Sequence, residues 1–393
     1  MTSRAEAAVA PAGISFDLTP EQRELQALAH EFAERELRPI AREWDEREDC
    51  PPALLGKAAA LGLTSHAIPA EYGGGGVSAV TSTLVGEELA WGCAGLSAPI
   101  GATMFPVRPL LFAATEEQRQ RWLPRLASED GCLAAIAFTE PGAGTDVSGI
   151  QATARRDRDE YVLNGEKCYI TNGGIAELTI VFARLERDGL DGAITAFLVE
   201  AGDPGVSAGR KEPKLGLRAS HTGSILFDEA RLPADRLLGE EGEGFAIAID
   251  FFMHSRPQVA AEALGIARAA FEYATAYANE RHAFGKPLIA KQGVSFKLAE
   301  MAIGVEASRL LIWRAAAALD AGEDAGLLGS MAKAFAADTA MSVTTEAVQV
   351  LGGAGIMRDH PVEKWLRDAK VLQIVEGTSE IQRHVIVQYL RTR

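Results

Sequence analysis

The stretch that decides the fold is residues 374–383, with the sequence Ile-Val-Glu-Gly-Thr-Ser-Glu-Ile-Gln-Arg. Ser379 and Gln382 have the spacing of an N-terminal capping box, so we expect a helix to begin near Ser379. Glu376 then lies outside the helix, on a short loop that Gly377 allows to turn tightly. A carboxylate held in this way can take a proton from carbon, although a glutamate just before a helix more often interacts with the helix dipole.

Four other motifs accompany this stretch along the chain. None of them is a dinucleotide-binding fingerprint, because the glycine-rich segment 142–147 lacks the last glycine of G-x-G-x-x-G, which argues against a Rossmann domain. The motifs are Ala-Phe-Thr-Glu-Pro-Gly-Ala-Gly-Thr-Asp-Val-Ser-Gly at 137–149, Lys-Cys-Tyr-Ile-Thr-Asn-Gly at 167–173, Arg-His-Ala-Phe-Gly-Lys-Pro-Leu at 281–288 and Gln-Val-Leu-Gly-Gly-Ala-Gly at 349–355.

These five ordered motifs resemble the acyl-CoA dehydrogenase flavoprotein family, in particular its medium- and short-chain members. The resemblance runs from about Phe16 to the C-terminus. It implies FAD-dependent α,β-dehydrogenation of an acyl-CoA thioester to the trans-2-enoyl-CoA, with electrons passing to an electron-transfer flavoprotein. An acyl-carrier-protein-linked dehydrogenase of biosynthesis and an acyl-CoA oxidase-like relative remain alternatives, because both use related chains.

The resemblance implies two groups of FAD contacts. The first covers the pyrimidine side, the ring, the surroundings of N5 and the pyrophosphate, with Thr378 and Glu380 on the adenine and diphosphate sides. The second reaches the FAD of a neighbouring subunit, so we expect a homotetramer, or at least a dimer. The first group is Phe138, Thr139, Gly144, Thr145, Tyr169, Ile170, Thr171, Thr378 and Glu380, and the second is Arg281, Phe284, Gln292, Gln349, Gly352 and Gly353.

The resemblance assigns catalysis to Glu376, which abstracts the α-proton while its backbone N–H polarises the thioester carbonyl. Some family members carry the base on the helix before Arg256, but residues 251–256 contain no carboxylate. Glu380 is a weaker candidate, because we expect the start of the helix to bury it. The implied substrate contacts are Thr145, Phe252, Arg256 and Gly377.

Three further residues are interpreted from their surroundings. Arg256 lies in an apolar stretch, where a buried structural ion pair and a role near the active site are about equally favoured. Glu140 and His254 are expected to be structural.

The acyl group and its carrier are less clearly indicated. Residues 95–104 align with the family's wall around the distal acyl chain, and their small side chains favour a medium or branched acyl group. Residues 320–324 are acidic where some relatives have basic residues near the CoA 3′-phosphate. Exposed phosphate contacts contribute little, so CoA stays favoured over acyl carrier protein.

Periodicity predicts an α+β, mainly α chain, with an N-terminal helical domain at 16–130, a small β-barrel or sandwich at 131–240 and a C-terminal helical bundle at 241–393. Capping boxes at Thr19 and Thr115 start helices in the first block. We expect turns at Asn164-Gly165 and Asp191-Gly192 in the second. Helices at Pro257 to Glu280 and Leu298 to Asp320 are expected in the third.

Composition agrees with an ordinary globular chain of two or three domains. It has 393 residues, of which 47% are hydrophobic and 24% charged. A net charge of −15 argues against nucleic-acid and anionic-membrane binding. The four cysteines have no C-x-x-C pair, which favours a reducing, cytoplasmic compartment and no metal site. We expect no membrane span, and we interpret residues 1–15 as a disordered tail without a secretory signal.

Overall fold

A computed structural model describes residues 16–186, 189–190 and 192–391. The expected N-terminal tail and Asp191 of one expected turn lie outside these residues. The helices are α1 Pro20–Phe32, α2 Ala41–Arg47, α3 Pro52–Ala60, α4 Ala79–Thr103, α5 Val107–Ala113, α6 Glu116–Leu126, α7 Gly244–Glu280, α8 Gln292–Asp320, α9 Gly326–Leu351, α10 Val362–Leu372 and α11 Ser379–Arg391. The strands are β1 Ala134–Ala137, β2 Thr153–Asp157, β3 Glu160–Thr171, β4 Leu178–Glu186, β5 Ile194–Glu200, β6 Val206–Lys211, β7 Thr222–Pro233, β8 Leu237–Leu238, β9 His282–Ala283 and β10 Lys286–Pro287.

Both predicted capping boxes of the N-terminal helices are confirmed. The hydroxyl of Thr19 accepts from the backbone N–H of Gln22, and Thr115 does the same with Gln118, while each glutamine side chain bonds back to the cap backbone. α4 is buried along almost its whole length and kinks at Cys93, which has extended backbone angles. The kink separates an N-terminal half that packs on α7 from a C-terminal half that reaches the sheet.

The middle of the chain forms one mixed sheet in the order β6-β7-β3-β2-β4-β5-β8, with β1 parallel to β4 at the side. The expected turn at Asn164-Gly165 is wrong. β3 runs straight through it with a bulge, pairing Leu163 with Ala230 and Gly165 with Phe227. Gly165 adopts φ 137°, and a Cβ there would stand 2.8 Å from Ala152, so the glycine permits a bulge instead of a hairpin.

The C-terminal helices are longer than the sequence pattern indicated. α7 begins at Gly244, thirteen residues before Pro257, and α8 begins at Gln292 instead of Leu298. Proline usually marks the first turn of a helix, but Pro257 is buried inside α7. α7 packs against α4, α8 and α9 through many buried alanines, which let the helix axes approach closely.

One apolar segment bears on the expectation that the chain has no membrane span. Within the described residues, one segment, Ala79–Ala113, is long and apolar enough to cross a bilayer by length and composition alone. In the structure this segment is α4 with its continuation into α5, and 56% of its most apolar window is buried by other parts of the chain. Such a composition is also typical of a core helix of a folded domain.

A buried charge network joins α4 to α7 and α8. Arg268 donates to Glu87 at 2.8 Å and to Glu88 at 2.9 Å, and Arg309 donates to Glu87 at 2.9 Å. Burial opposes ionisation of Glu88, but the guanidinium of Arg268 outweighs it, and the pKa of Glu88 lies below its usual range. The network therefore stays ionised and fixes the register of three core helices.

We expect Arg268→Ala to lower the free energy of unfolding by about 3 kcal/mol, since it leaves two buried carboxylates short of a partner. This is the low end for such a change, because Arg309 still bonds Glu87 and His30 still bonds Glu88. Urea unfolding followed by circular dichroism measures it. Arg42→Ala, which removes exposed contacts to Glu46 and Asp359, is the control and should change stability by less than about 0.5 kcal/mol.

Candidate active site

The loop that carries Glu376 is closed by contacts other than the expected capping box. α11 does begin at Ser379, but the cap is Thr378, whose hydroxyl accepts from the backbone N–H of Ile381 at 3.2 Å. Ser379 donates instead to Asp338 at 2.8 Å. The side chain of Gln382 reaches back to the carbonyls of Glu376 at 3.0 Å and Gly377 at 3.1 Å. The Ser379–Gln382 capping box was therefore wrong, although the helix start was right.

The loop backbone is strained and must be held by its surroundings. Glu376 has φ 54° and Gly377 has φ 88°, both in the left-handed region. For a non-glycine residue this conformation costs roughly 1–2 kcal/mol. Two residues of α9 supply the restraint: Lys333 donates to the carbonyl of Gly377 at 2.7 Å, and Asp338 accepts hydrogen bonds from Gln373, Ser379 and Arg383.

The carboxyl group of Glu376 points towards α7. Ser255 donates to its Oε2 at 2.9 Å, and the side chain is only partly exposed. Burial raises the pKa of Glu376, while Ser255, Lys333 and Arg256 act in the opposite direction. A carboxylate with a raised pKa is a stronger base than an exposed one, and this environment therefore suits proton abstraction.

Sequence reasoning missed Ser255 and Lys333. The neighbourhood of Ser255 was searched only for carboxylates, and a hydroxyl gave no signal. Lys333 is completely buried, and burial lowers its pKa to about 8 although Glu376 and Asp338 favour its charged form. A lone lysine among Met, Ala and Phe at 331–337 was the available clue, because a buried lysine needs a partner.

Two expectations near the base need correction. Arg256 donates to Ser330 at 2.9 Å and forms no salt bridge with any carboxylate of the described chain, so the structural ion pair is wrong. Burial lowers its pKa, with Glu376 the main opposing charge. Glu380 is exposed on the first turn of α11, contrary to the expected burial, and its own backbone N–H and the Thr378 hydroxyl lower its pKa. A low pKa makes Glu380 a poor base.

The first predicted cofactor group forms a continuous surface beside the sheet. The backbone N–H of Cys168 donates to the carbonyl of Thr139 at 2.9 Å, which joins the 137–149 loop to β3. Glu140 is structural, as expected, because it pairs with the buried Lys167 at 2.6 Å. The side chains of Phe138 and Ile170 are buried, so only their backbone atoms can meet a ligand.

Polar groups on this surface are available to a ligand. Gly144 and Thr145 are exposed, and Tyr169 is 65% exposed with φ 59°. The hydroxyls of Thr139, Thr145 and Thr171 make no hydrogen bond with residues in the described ranges. Free hydroxyls next to exposed loop amides match the edge of a flavin and a pyrophosphate, so this donor set fits FAD.

Aromatic packing brings this surface to the base. The ring of Phe138 lies 4.0 Å from that of Phe182 and 5.0 Å from that of Phe252, measured between centroids. Phe252 is three residues before Ser255 on α7, and Ser255 bonds Glu376. The structure thus gathers the predicted residues of the 137–149 loop, Phe252, Arg256, Glu376 and Gly377 around one place.

The second predicted cofactor group lies at the other end of the bundle. The salt bridge from Lys297 to Glu346, 2.5 Å long, joins the beginning of α8 to the end of α9. Gln349 is sixteen residues beyond Lys333 on α9, about 24 Å along the helix axis. The members of this group are all exposed, and Phe284 is 96% exposed: Arg281, Phe284, Gln292, Gln349, Gly352 and Gly353.

The fold and the site define an oxidoreductase with helices, a sheet and helices in chain order, and the chain belongs to the acyl-CoA dehydrogenase family of flavoproteins. Models of that family's N-terminal, middle and C-terminal domains match residues 19–130, 135–230 and 242–390. The resemblance and the predicted fold class are thereby confirmed.

Individual relatives agree over nearly the whole chain. An acyl-CoA dehydrogenase of Bacillus subtilis is 43% identical over 378 residues, covering 95% of this chain and 98% of the relative. The butyryl-CoA dehydrogenase structure of Megasphaera elsdenii is 41% identical with a TM-score of 0.93, covering 96% of this chain and all of that chain. The FAD complex of PigA is 30% identical with a TM-score of 0.91, covering 96% and 99% of the two chains.

We expect Asp338→Ala to release the Glu376 loop, because one carboxylate accepts three of its restraining hydrogen bonds. Amide hydrogen exchange in residues 374–379 should become at least about tenfold faster, while the protected core of α9 changes little. Ser379→Ala removes only one of these bonds and serves as the matched variant, with a smaller increase. Equal exchange in Asp338→Ala and the wild type would show that α9 does not hold the loop.

Proposed function

We propose that the chain catalyses α,β-dehydrogenation of an acyl-CoA thioester, with Glu376 as the base that removes the α-proton. The observation that carries this is the carboxyl group of Glu376, held by Ser255 on a strained loop in a partly buried site that raises its pKa. When bound, FAD would supply the acceptor for the β-hydride, and an electron-transfer flavoprotein is the proposed next acceptor.

The chain's own residues divide the work of binding and proton transfer. The α-carbon loses its proton to the Glu376 carboxylate, and negative charge develops on the thioester oxygen. The proposed donor to that oxygen is the backbone N–H of Glu376, which the left-handed turn orients together with the side chain. Phe252, Arg256, Gly377 and Thr145 are the proposed contacts to the rest of the thioester.

We propose the exposed polar surface beside β3 as the FAD site of the same chain, with Phe138 and Ile170 contributing backbone atoms only. Thr139, Gly144, Thr145, Tyr169 and Thr171 would hold the ring side, and Thr378 and Glu380 the far side. The Arg281 group lies at the other end of the bundle, with Gln349 about 24 Å along α9 from Lys333, and we propose that this group serves a neighbouring subunit's FAD.

A homotetramer is the proposed assembly, with a dimer as the minimum. Phe296, Ile303 and Leu310 follow one face of α8 at seven-residue spacing, and all three are exposed. An exposed apolar stripe of this kind is typical of a protein–protein interface. Its position beside the Arg281 group is consistent with a neighbouring subunit that shares its cofactor.

CoA is the proposed carrier, because two of the three acidic residues that suggested a carrier protein, Asp320 and Asp324, have structural roles. Asp320 accepts from the backbone N–H groups of Ala79 at 2.6 Å and Val80 at 3.1 Å, at the beginning of α4. Asp324 accepts from Tyr389 and from the backbone of Gly326.

Location and domain boundaries are also proposals. All four cysteines are free, which agrees with the proposed reducing, cytoplasmic location. The proposed domain boundaries are 16–130, 131–240 and 241–393.

We expect Glu376→Gln to bind FAD and thioester but to lose flavin reduction by at least about a hundredfold, the scale of general-base loss. The measurement is the single-turnover rate of flavin bleaching without oxygen, with an acyl-CoA that reduces the wild type. Since the base must be ionised, the wild-type rate should rise with pH through the raised pKa of Glu376. Glu380→Gln is the matched comparison: as a proposed FAD contact it should affect mainly FAD retention or helix stability, while the FAD-loaded protein keeps the rate. Near-wild-type bleaching by Glu376→Gln would move the base elsewhere.

We expect the purified protein to be yellow with about one FAD per chain, and Arg281→Ala to lower FAD retention at least about tenfold, because a guanidinium–diphosphate pair is lost. Absorbance after dialysis measures retention, and light scattering gives the mass. Arg23→Ala, an exposed arginine on α1, is the control. A folded protein that stays colourless with added FAD contradicts the cofactor proposal. An FAD-loaded monomer contradicts the shared-site proposal.

A further inference from the structure

A second carboxyl group stands near the base with no partner of its own. Glu262 lies on α7 seven residues after Ser255, which is about 10 Å along the same face of the helix. It forms no hydrogen bond or salt bridge with any residue for which the structure gives a position. Its charge interacts with that of Glu376, and both carboxyl groups therefore belong to one electrostatic environment.

Glu262 faces the wall formed by the C-terminal half of α4. Its Oε1 is 3.4 Å from the position that a Cβ on Gly101 would take. Ala98, Gly101 and Met104 share one face of this segment and stay partly exposed, whereas the residues between them are buried. The wall carries no charged side chain between residues 95 and 104, and at Gly101 it meets the carboxyl group of Glu262.

The same wall reaches the proposed flavin site. The side chain of Asn172, next to Thr171 at the end of β3, donates to the carbonyl of Pro99 at 3.2 Å. The wall is therefore in contact with Glu262 of α7 at Gly101 and with the end of β3 at Pro99. In the proposed function, a thioester whose α-carbon lies at Glu376 extends its distal acyl chain along this wall.

A plain hydrocarbon chain would leave Glu262 without a partner. Burial, and then the nearby Glu376, raises the pKa of Glu262 to about 8, so the group is mostly neutral at pH 7 and can both donate and accept. A polar group enclosed by apolar atoms is unfavourable unless it is hydrogen-bonded. An acyl chain with its own polar group removes that cost.

We propose that Glu262 selects acyl thioesters whose distal chain carries a hydrogen-bond donor, a hydroxyl or an amino group, beyond the carbons that react. This inference rests on the proposed function, because it names the substrate class of the same site. Glu262 is a specificity-determining residue and takes no part in proton abstraction. Alkyl chains of the same length are poorer substrates, since they bury the carboxyl group unpaired.

The test is the rate of anaerobic flavin bleaching with matched acyl-CoA sets: hexanoyl and octanoyl chains, each plain, with a terminal hydroxyl or with a terminal amine. The wild type should favour a hydroxyl- or amine-bearing chain over the plain chain by at least about tenfold in kcat/KM. Glu262→Leu should reverse this order. An ammonium group beside Glu262 would favour the ionised carboxylate, which Glu262→Gln cannot form, so this variant should keep the hydroxyl preference and lose the amine preference.

The control is Glu24→Leu, the same substitution at an exposed position of α1, which should leave the order of substrates as in the wild type. FAD content verifies that each variant is folded. If the wild type and Glu262→Leu rank the plain, hydroxyl-bearing and amine-bearing chains in the same order, the Glu262 inference is overturned. The dehydrogenase proposal then still stands. If no acyl-CoA bleaches the wild type, the proposed function fails and takes the inference with it.

Discussion

The geometry of the site depends on one constraint, the left-handed turn at Glu376 and Gly377. A glutamate does not adopt this backbone without support, and α9 provides it through Lys333 and Asp338. Both groups lie within five residues of one another on a helix that is itself buried between α7, α8 and α10. The position of the base is therefore set by the packing of the bundle, and the loop itself contributes little rigidity.

This dependence explains why a distant network matters to the site. Arg268 and Arg309 hold α4 against α7 and α8 by pairing with buried carboxylates. Of these helices, α7 supplies Ser255, and α4 supplies the small-residue wall around Gly101. The network holds the part of α4 before the kink at Cys93, and the wall around Gly101 lies after that kink.

Much of this could be read from the sequence, and the failures have identifiable physical causes. The helix start at Ser379 was predicted correctly from a wrong cap, because Thr378 and Ser379 are both capping residue types and only tertiary contacts decide that Ser379 bonds Asp338. Asn164-Gly165 has hairpin composition yet forms a bulge, since the neighbouring strand β7 continues past it. Ser255 and Lys333 were missed because their roles exist only where α7, α9 and the loop meet.

The charges around the base explain how a buried carboxylate can remain useful. Burial raises the pKa of Glu376, while the Ser255 hydrogen bond and the charges of Lys333 and Arg256 lower it. Burial also lowers the pKa values of Lys333 and Arg256 themselves. The effect of these two cations on the pKa of Glu376 is limited, because the same burial disfavours the charged form of each cation. The Lys333 ammonium is also already bonded to the Gly377 carbonyl. A bound thioester would displace water from this site and strengthen every one of these interactions. The pKa of Glu376 is therefore raised by burial and held back by Ser255, Lys333 and Arg256, and a ligand that excludes water can raise it further, towards that of the proton that the base removes.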